Sequence, residues 1–241
     1  MKRKKIITVF LLLNIPFFTG CSDQPSQSVE VSLLYDVTPS NSSGIRELNS
    51  QTLGDLFGLD ENPDKAVRYR QSIISGSWLN VTQEISLPPV ESVLLSNEFA
   101  RRDSIRAFKE QIALGLERIA SDTLGRDYSS VYLPIARELT RLSQSPFDKR
   151  ILVVLSDLAE NEFLSFYDHK TADLLINDPE KIAELFQREM QLPESLSNIT
   201  VYLVHQPSEG DLFFKHAAKL YVQLLASKNA TIHVQANLLP Q

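Results

Sequence analysis

Along the chain, runs with a two-residue alternation give way to runs with helical spacing, and back again. Val29-Glu-Val-Ser-Leu-Leu-Tyr35 is a β-rich run that ends in Asp36. Residues 41–66 are rich in Asn, Ser and Asp, carry Pro63, and predict an irregular stretch with a short helix near Leu53–Leu59. Val67 to Leu79 alternates and predicts a strand, and Gln83 to Leu87 predicts a shorter one stopped by Pro88-Pro89. From Asn97 to Ala120 the apolar positions Phe99, Ile105, Phe108, Ile112, Leu116 and Ile119 recur at helical spacings. A second helix is predicted from about Ser130 to Leu142, with Pro134 in its first turn, where proline is tolerated. Ile151-Leu-Val-Val-Leu155 is apolar throughout, as a strand buried on both faces of a parallel sheet is. A helix over Pro179–Met190, a strand over Ile199–Val204, a helix over Asp211–Ser227 and a strand over Thr231–Val234 complete the series.

Strands that alternate with helices predict an α/β fold: a three-layer, Rossmann-like, mostly parallel sheet with helices on both faces. There is no internal repeat and no second linker, so residues 29–241 read as one domain.

The first 28 residues read differently. Lys2-Arg-Lys-Lys5 precedes an apolar run, Ile6 to Phe18, and then Phe18-Thr19-Gly20-Cys21. A basic region, a short apolar region and small residues before a cleavage point make 1–20 a secretory signal peptide. The apolar run is too short for an ordinary membrane-spanning helix and is interrupted by Asn14 and Pro16. Phe18 to Cys21 resembles the lipobox of bacterial lipoproteins, with Phe where that pattern prefers leucine. The resemblance implies cleavage before Cys21, diacylglyceryl modification of its thiol, and a membrane anchor without a spanning helix in the cell envelope. Ser22, where an aspartate would favour inner-membrane retention, implies the outer membrane or periplasmic face. Residues 21–28 are otherwise polar and predict a flexible tether.

Composition narrows the chemistry. With one cysteine in 241 residues, no intramolecular disulfide and no cysteine-rich metal site can form. Glycine is scarce, 8 in all, and neither GxGxxG nor GxxxxGK[ST] occurs, which argues against a phosphate-cradling loop. The four histidines are scattered without HExxH, and GxSxG is absent, so zinc and α/β-hydrolase chemistry are disfavoured. Formal net charge is −6. Segment 1–20 holds four basic residues and no acid, so the rest of the chain is four units more negative still. Nucleic acid is therefore excluded as a partner.

Two acidic loops leave the carboxyl ends of strong strands: Asp36-Val37-Thr38-Pro39-Ser40 and Ser156-Asp157-Leu158. Open α/β sheets bind ligands beyond those ends, where strand order reverses. With order 3-2-1-4-5-6 the first and fourth strands are neighbours, and the two loops meet in one crevice. Each loop alone also suits a simple Asx turn that caps a helix.

Together the loops resemble the von Willebrand factor A fold, which often carries a metal-ion-dependent adhesion site of the form Asp-x-Ser-x-Ser, a Thr on a second loop and an Asp on a third. The first loop matches at Asp36, Thr38 and Ser40, with Thr for the middle Ser; the third matches at Asp157. The second falls on Asp127-Tyr-Ser-Ser130, where Ser129 or Ser130 replaces the Thr, and the family's Ser-Asp-Gly is here Ser-Asp-Leu158. The resemblance implies Mg²⁺ held by hydroxyls and carboxylates, completed by an Asp or Glu from a protein partner. That is a binding device rather than an enzyme. Mg²⁺ favours such hard oxygen ligands. A second resemblance, to the haloacid dehalogenase phosphohydrolases, makes Asp36 a nucleophile and Ser156 a phosphate-positioning hydroxyl. It lacks the general acid, because that position is Thr38. Glu160, Asn161 and Glu162 read as a solvated polar face. Arg101, Arg102, Lys109 and Glu110 read as exposed helix charges, and Trp78 as core or rim.

Overall fold

In the computed structural model, which describes residues 27–36, 50–74, 79–90, 97–121, 130–205 and 213–238, the alternation becomes a single central sheet. Its strands are β1 (Val29–Asp36), β2 (Val67–Ile74), β3 (Leu79–Leu87), β4 (Lys149–Leu155), β5 (Ile199–Val204) and β6 (Thr231–Gln235). Their order is β3-β2-β1-β4-β5-β6. All neighbours run parallel except β3, which returns antiparallel to β2. The helices are α1 (Ser50–Phe57), α2 (Glu98–Ser121), α3 (Tyr132–Ser143), α4 (His169–Asn177), α5 (Pro179–Glu189) and α6 (Phe214–Ala226).

β1 lies between two parallel partners and is buried at every position. Its side chains alternate between two cores. Val29, Val31, Leu33 and Tyr35 pack with Leu53 and Phe57 of α1 and Phe108 and Ile112 of α2. Leu34 points the other way and joins Ile135 and Leu139 of α3, Phe186 of α5 and Tyr221 of α6. Helices cover both faces, as the sequence predicted.

The structure corrects several boundaries. The strand expected over 67–79 is two strands: β2 ends at Ile74, and β3 starts at Leu79 and absorbs the run over 83–87. The β2–β3 register slips between Gln71 and Ser72, a bulge of the kind that bends an edge. α4 was not predicted. It is a nine-residue helix that buries only Leu175, too little for a periodic signal, and it starts because Asp168 Oδ2 accepts from the Lys170 and Thr171 amides at 3.1 Å. Arg101 is not a free helix charge: Nε donates to Pro63 O at 2.6 Å, and its two terminal nitrogens donate to Pro88 O and Lys65 O at 2.7 and 2.8 Å. It ties α2 to the turns that flank β2 and β3. Farther along α2, a Cβ on Gly115 would lie 1.9 Å from Gln83 Oε1, so a larger residue here would have to displace the Gln83 side chain. Gln71 Nε2 then donates to Gly115 O at 3.2 Å. No helix among the described residues is long and apolar enough to cross a membrane. Trp78 and Cys21 lie outside the described residues.

Candidate functional site at the carboxyl edge of β1 and β4

Register and parity bring the first and third loops together. β1 and β4 pair in parallel with Tyr35 opposite Leu155, so Asp36 and Ser156 come next on adjacent strands and point to the same face. Ser156 Oγ donates to Asp36 Oδ2 at 2.8 Å, with both residues buried. The same hydroxyl accepts from the Leu158 amide at 2.9 Å, and Asp157 Oδ1 accepts from the Ala159 amide at 3.0 Å. Asp36, which opens the first loop, therefore meets Ser156, which opens the third, and the Asx-type turn of the third loop is formed as well. Burial, with the Asp36 charge beside it, pushes the Tyr35 hydroxyl up to about 12.

Leu158 carries the departure from the family pattern. Its φ is 60°, in the left-handed region where glycine is at ease, and it is fully buried in the α3–α6 core. The leucine thus sits in a backbone conformation that suits glycine, and its side chain is held there by burial. Left-handed backbone costs a non-glycine residue about 1–2 kcal/mol. The expected result is an inverted order of truncations. Leu158→Gly relieves the strain and is more stable than Leu158→Ala by about 1 kcal/mol in urea unfolding, with both below the parent. Equal stabilities of the two variants contradict the strain.

Glu160 overturns the reading of 160–162 as a solvated face. Glu162 is exposed, but Glu160 is 0% exposed. Its Oε2 accepts from the Val131 amide at 2.9 Å and the Tyr132 amide at 3.0 Å, where α3 begins. Burial pushes its carboxyl from 4.5 up to about 7; the Tyr132 and Val131 amides and the Ser130 hydroxyl work against that rise. Ser130, fully buried, lies against this carboxyl, though outside good hydrogen-bond geometry. Because the folded value is raised, Glu160 contributes stability that is fully present below 4.5 and lost as pH rises through about 7. Glu160→Gln should remove that dependence. Denaturant unfolding at about pH 5 and pH 8 measures it: the parent loses stability relative to the variant on going up. A constant difference contradicts the raised value.

Of the expected site residues, Asp36 and Asp157 are brought to adjacent strand ends and Ser130 to the start of α3 beside Glu160. Thr38, Ser40 and Ser129 lie outside the described residues. Among the described residues no three or more His, Cys, Asp or Glu side chains form a metal cluster. The expected donor set needs only two carboxylates, with hydroxyls for the rest. Asp36 and Asp157 fit a hard cation in donor type. Two surface grooves, one along α2 and one along α5, share no residue with this edge.

No family model matches the chain, and no curated protein matches it. Solved structures do. The PilB minor pilin from Streptococcus sanguinis superposes with a TM-score of 0.52 at 9% identity, over 88% of this chain and 58% of that one. Its D319A mutant gives 0.50 at 10% identity, over 88% and 57%. A von Willebrand factor type A structure from Catenulispora acidiphila matches at 0.37 and 8% identity, over 88% and 39%. The chain thus spans less than two thirds of the pilin's length. The six-stranded sheet, its strand order, the antiparallel β3 and the helices on both faces make the fold von Willebrand factor A-like.

Proposed function

We propose that this chain is a lipid-anchored, protein-binding module of the bacterial cell envelope, with its binding face at the carboxyl edge of β1 and β4. The observation that carries the reading is the Ser156–Asp36 hydrogen bond, which joins the first and third loops and sets two carboxylates on one edge. Asp36, Thr38, Ser40, Ser129 or Ser130, and Asp157 would hold Mg²⁺ there. When bound, the ion supplies an electrophilic position that an Asp or Glu of a protein partner completes. The chain's own part is positional: Ser156 orients the Asp36 carboxylate, and the Ala159 amide orients that of Asp157. A nucleophile is not required.

The similarity of a minor pilin in fold is in keeping with a role at the cell surface or in the envelope. Cys21 is the proposed lipid attachment point. β1 itself starts at the opposite end of the sheet from Asp36. The test is a melting curve. Mg²⁺ or Mn²⁺ at millimolar concentration raises Tm of the parent, and Asp36→Ala removes the rise. A parent indifferent to both ions contradicts metal binding.

A further inference from the structure

α3 starts without a local cap. Its N-cap residue, Val131, has no side-chain hydrogen bond to offer, and Ser130 just before it faces Glu160. Helix starts are ordinarily satisfied by a nearby Ser, Thr, Asp or Asn. Here the acceptor arrives from 28–29 residues downstream and costs the full burial of a carboxylate. What this acceptor adds over a local cap is a connection. Glu160 is itself held in place: its carbonyl accepts from the Phe166 amide at 2.9 Å, and the turn behind it is fixed by Ser156, Asp157 and the left-handed Leu158. A continuous path of hydrogen bonds and short covalent links therefore runs from Asp36 through Ser156 and the third loop to Glu160. It continues through the Val131 and Tyr132 amides to Ser130.

We infer that Glu160 is the positioning residue of the binding edge: its reach from the third loop to the start of α3 fixes Ser130 relative to that loop, and so sets the affinity of the edge for a divalent cation. This rests on the proposed metal-dependent reading of that edge. Glu160 touches no ligand itself. It acts through Ser130 at the start of α3, as outer partners of metal ligands do.

The role depends on reach, and two substitutions separate reach from charge. Glu160→Gln keeps the length and an oxygen acceptor for both amides but loses the charge. Glu160→Asp keeps the charge and is one methylene too short. Isothermal titration of Mg²⁺ into the parent and both variants reads the affinity. Glu160→Gln is expected to bind within about threefold of the parent, and Glu160→Asp about 10-fold or more weakly. Phe57→Leu, in the core on the other face of the sheet, serves as a destabilised control and should leave the affinity unchanged. Glu160→Asp binding as tightly as the parent, or Glu160→Gln binding more weakly than Glu160→Asp, overturns the inference and leaves the metal reading standing. A parent that takes up no Mg²⁺ overturns the metal reading, and this inference with it.

Discussion

Arg141→Ala is expected to lower the free energy of unfolding by about 3–5 kcal/mol, read from chemical denaturation, because it strands two buried carboxylates. The face of β1 that meets α3 opens with Glu30 and Ser32, and α3 answers with Glu138; all three are at most 1% exposed. Arg141 is their common partner. Its Nη1 donates to Glu30 Oε1 at 2.7 Å, and its Nε and Nη2 donate to Glu138 Oε1 at 2.9 and 2.7 Å. Ser32 Oγ bridges the set, accepting from Arg141 Nη2 at 2.9 Å and donating to Glu138 Oε1 at 2.5 Å. Ser145 also donates to Glu30.

Burial alone would lower the Arg141 pKa, but Glu138 and Glu30 more than offset that and hold it above its ordinary value. With Arg141 gone, the nearest cations are Arg68, 3.7 Å from Glu30, and Arg70, 3.7 Å from Glu138. Arg70 is already committed to Glu84 at 2.7 Å. The penalty is that of buried charge left with only these longer ion pairs, not of a lost surface ion pair, which is worth about 1 kcal/mol or less. Neutralising both acids in the same molecule, with Glu30→Gln and Glu138→Gln, should therefore recover part of the loss. A loss below about 1 kcal/mol for Arg141→Ala contradicts this account.

Phe186→Ala carries a similar effect by a different route, about 3–5 kcal/mol, typical of a large aromatic truncated in a closed core. Phe186 is fully buried on α5. It stacks on Tyr132 at a centroid distance of 4.2 Å and 16° between planes, and meets Tyr221, Phe163 and Phe166 at 5.9, 5.7 and 6.4 Å. These five rings come from α3, α5, α6 and the loop after β4, so the cavity left by alanine opens where three helices and that loop meet. The Tyr132 hydroxyl, donating to Met190 O at 2.5 Å, keeps the first turn of α3 from closing into the space. Phe186→Leu fills most of the volume and should recover most of the loss. Equal stabilities for the two variants in thermal or denaturant unfolding contradict a hub role for the ring.

The strand order and the meeting of the first and third loops were legible because they follow from strong local signals. Ile151–Leu155 is apolar throughout, as a central parallel strand must be, and the acidic residues sit where such strands end. Once β1 and β4 are neighbours, register alone puts Asp36 beside Ser156. What escaped was set by the path of the chain between elements. Glu160-Asn-Glu162 has the composition of a surface loop, yet the left-handed turn at Leu158 precedes a path that carries Glu160 inward. Ser-Asp-Leu gives no warning of such a turn, since the sequence signal for it is the glycine this chain lacks. The other end gave no warning either: the sequence starts this helix near Ser130, a residue that could cap it, whereas the N-cap is Val131, whose side chain offers no acceptor. Arg101 was misread for a related reason. Its spacing in α2 marks it as exposed, and only the turns beside β2 and β3 reveal the three carbonyls that it gathers.

The central claim is that Asp36 and Asp157 share one divalent cation at the edge of β1 and β4. Crystals grown in Mn²⁺ test it most directly, through anomalous scattering at that edge. The account predicts a single strong peak coordinated by the first and third loops, with a hydroxyl of Ser129 or Ser130 in its shell, and no such peak in Asp36→Ala. Ordered loops with no anomalous peak between Asp36 and Asp157, under conditions that saturate other manganese sites, would contradict it.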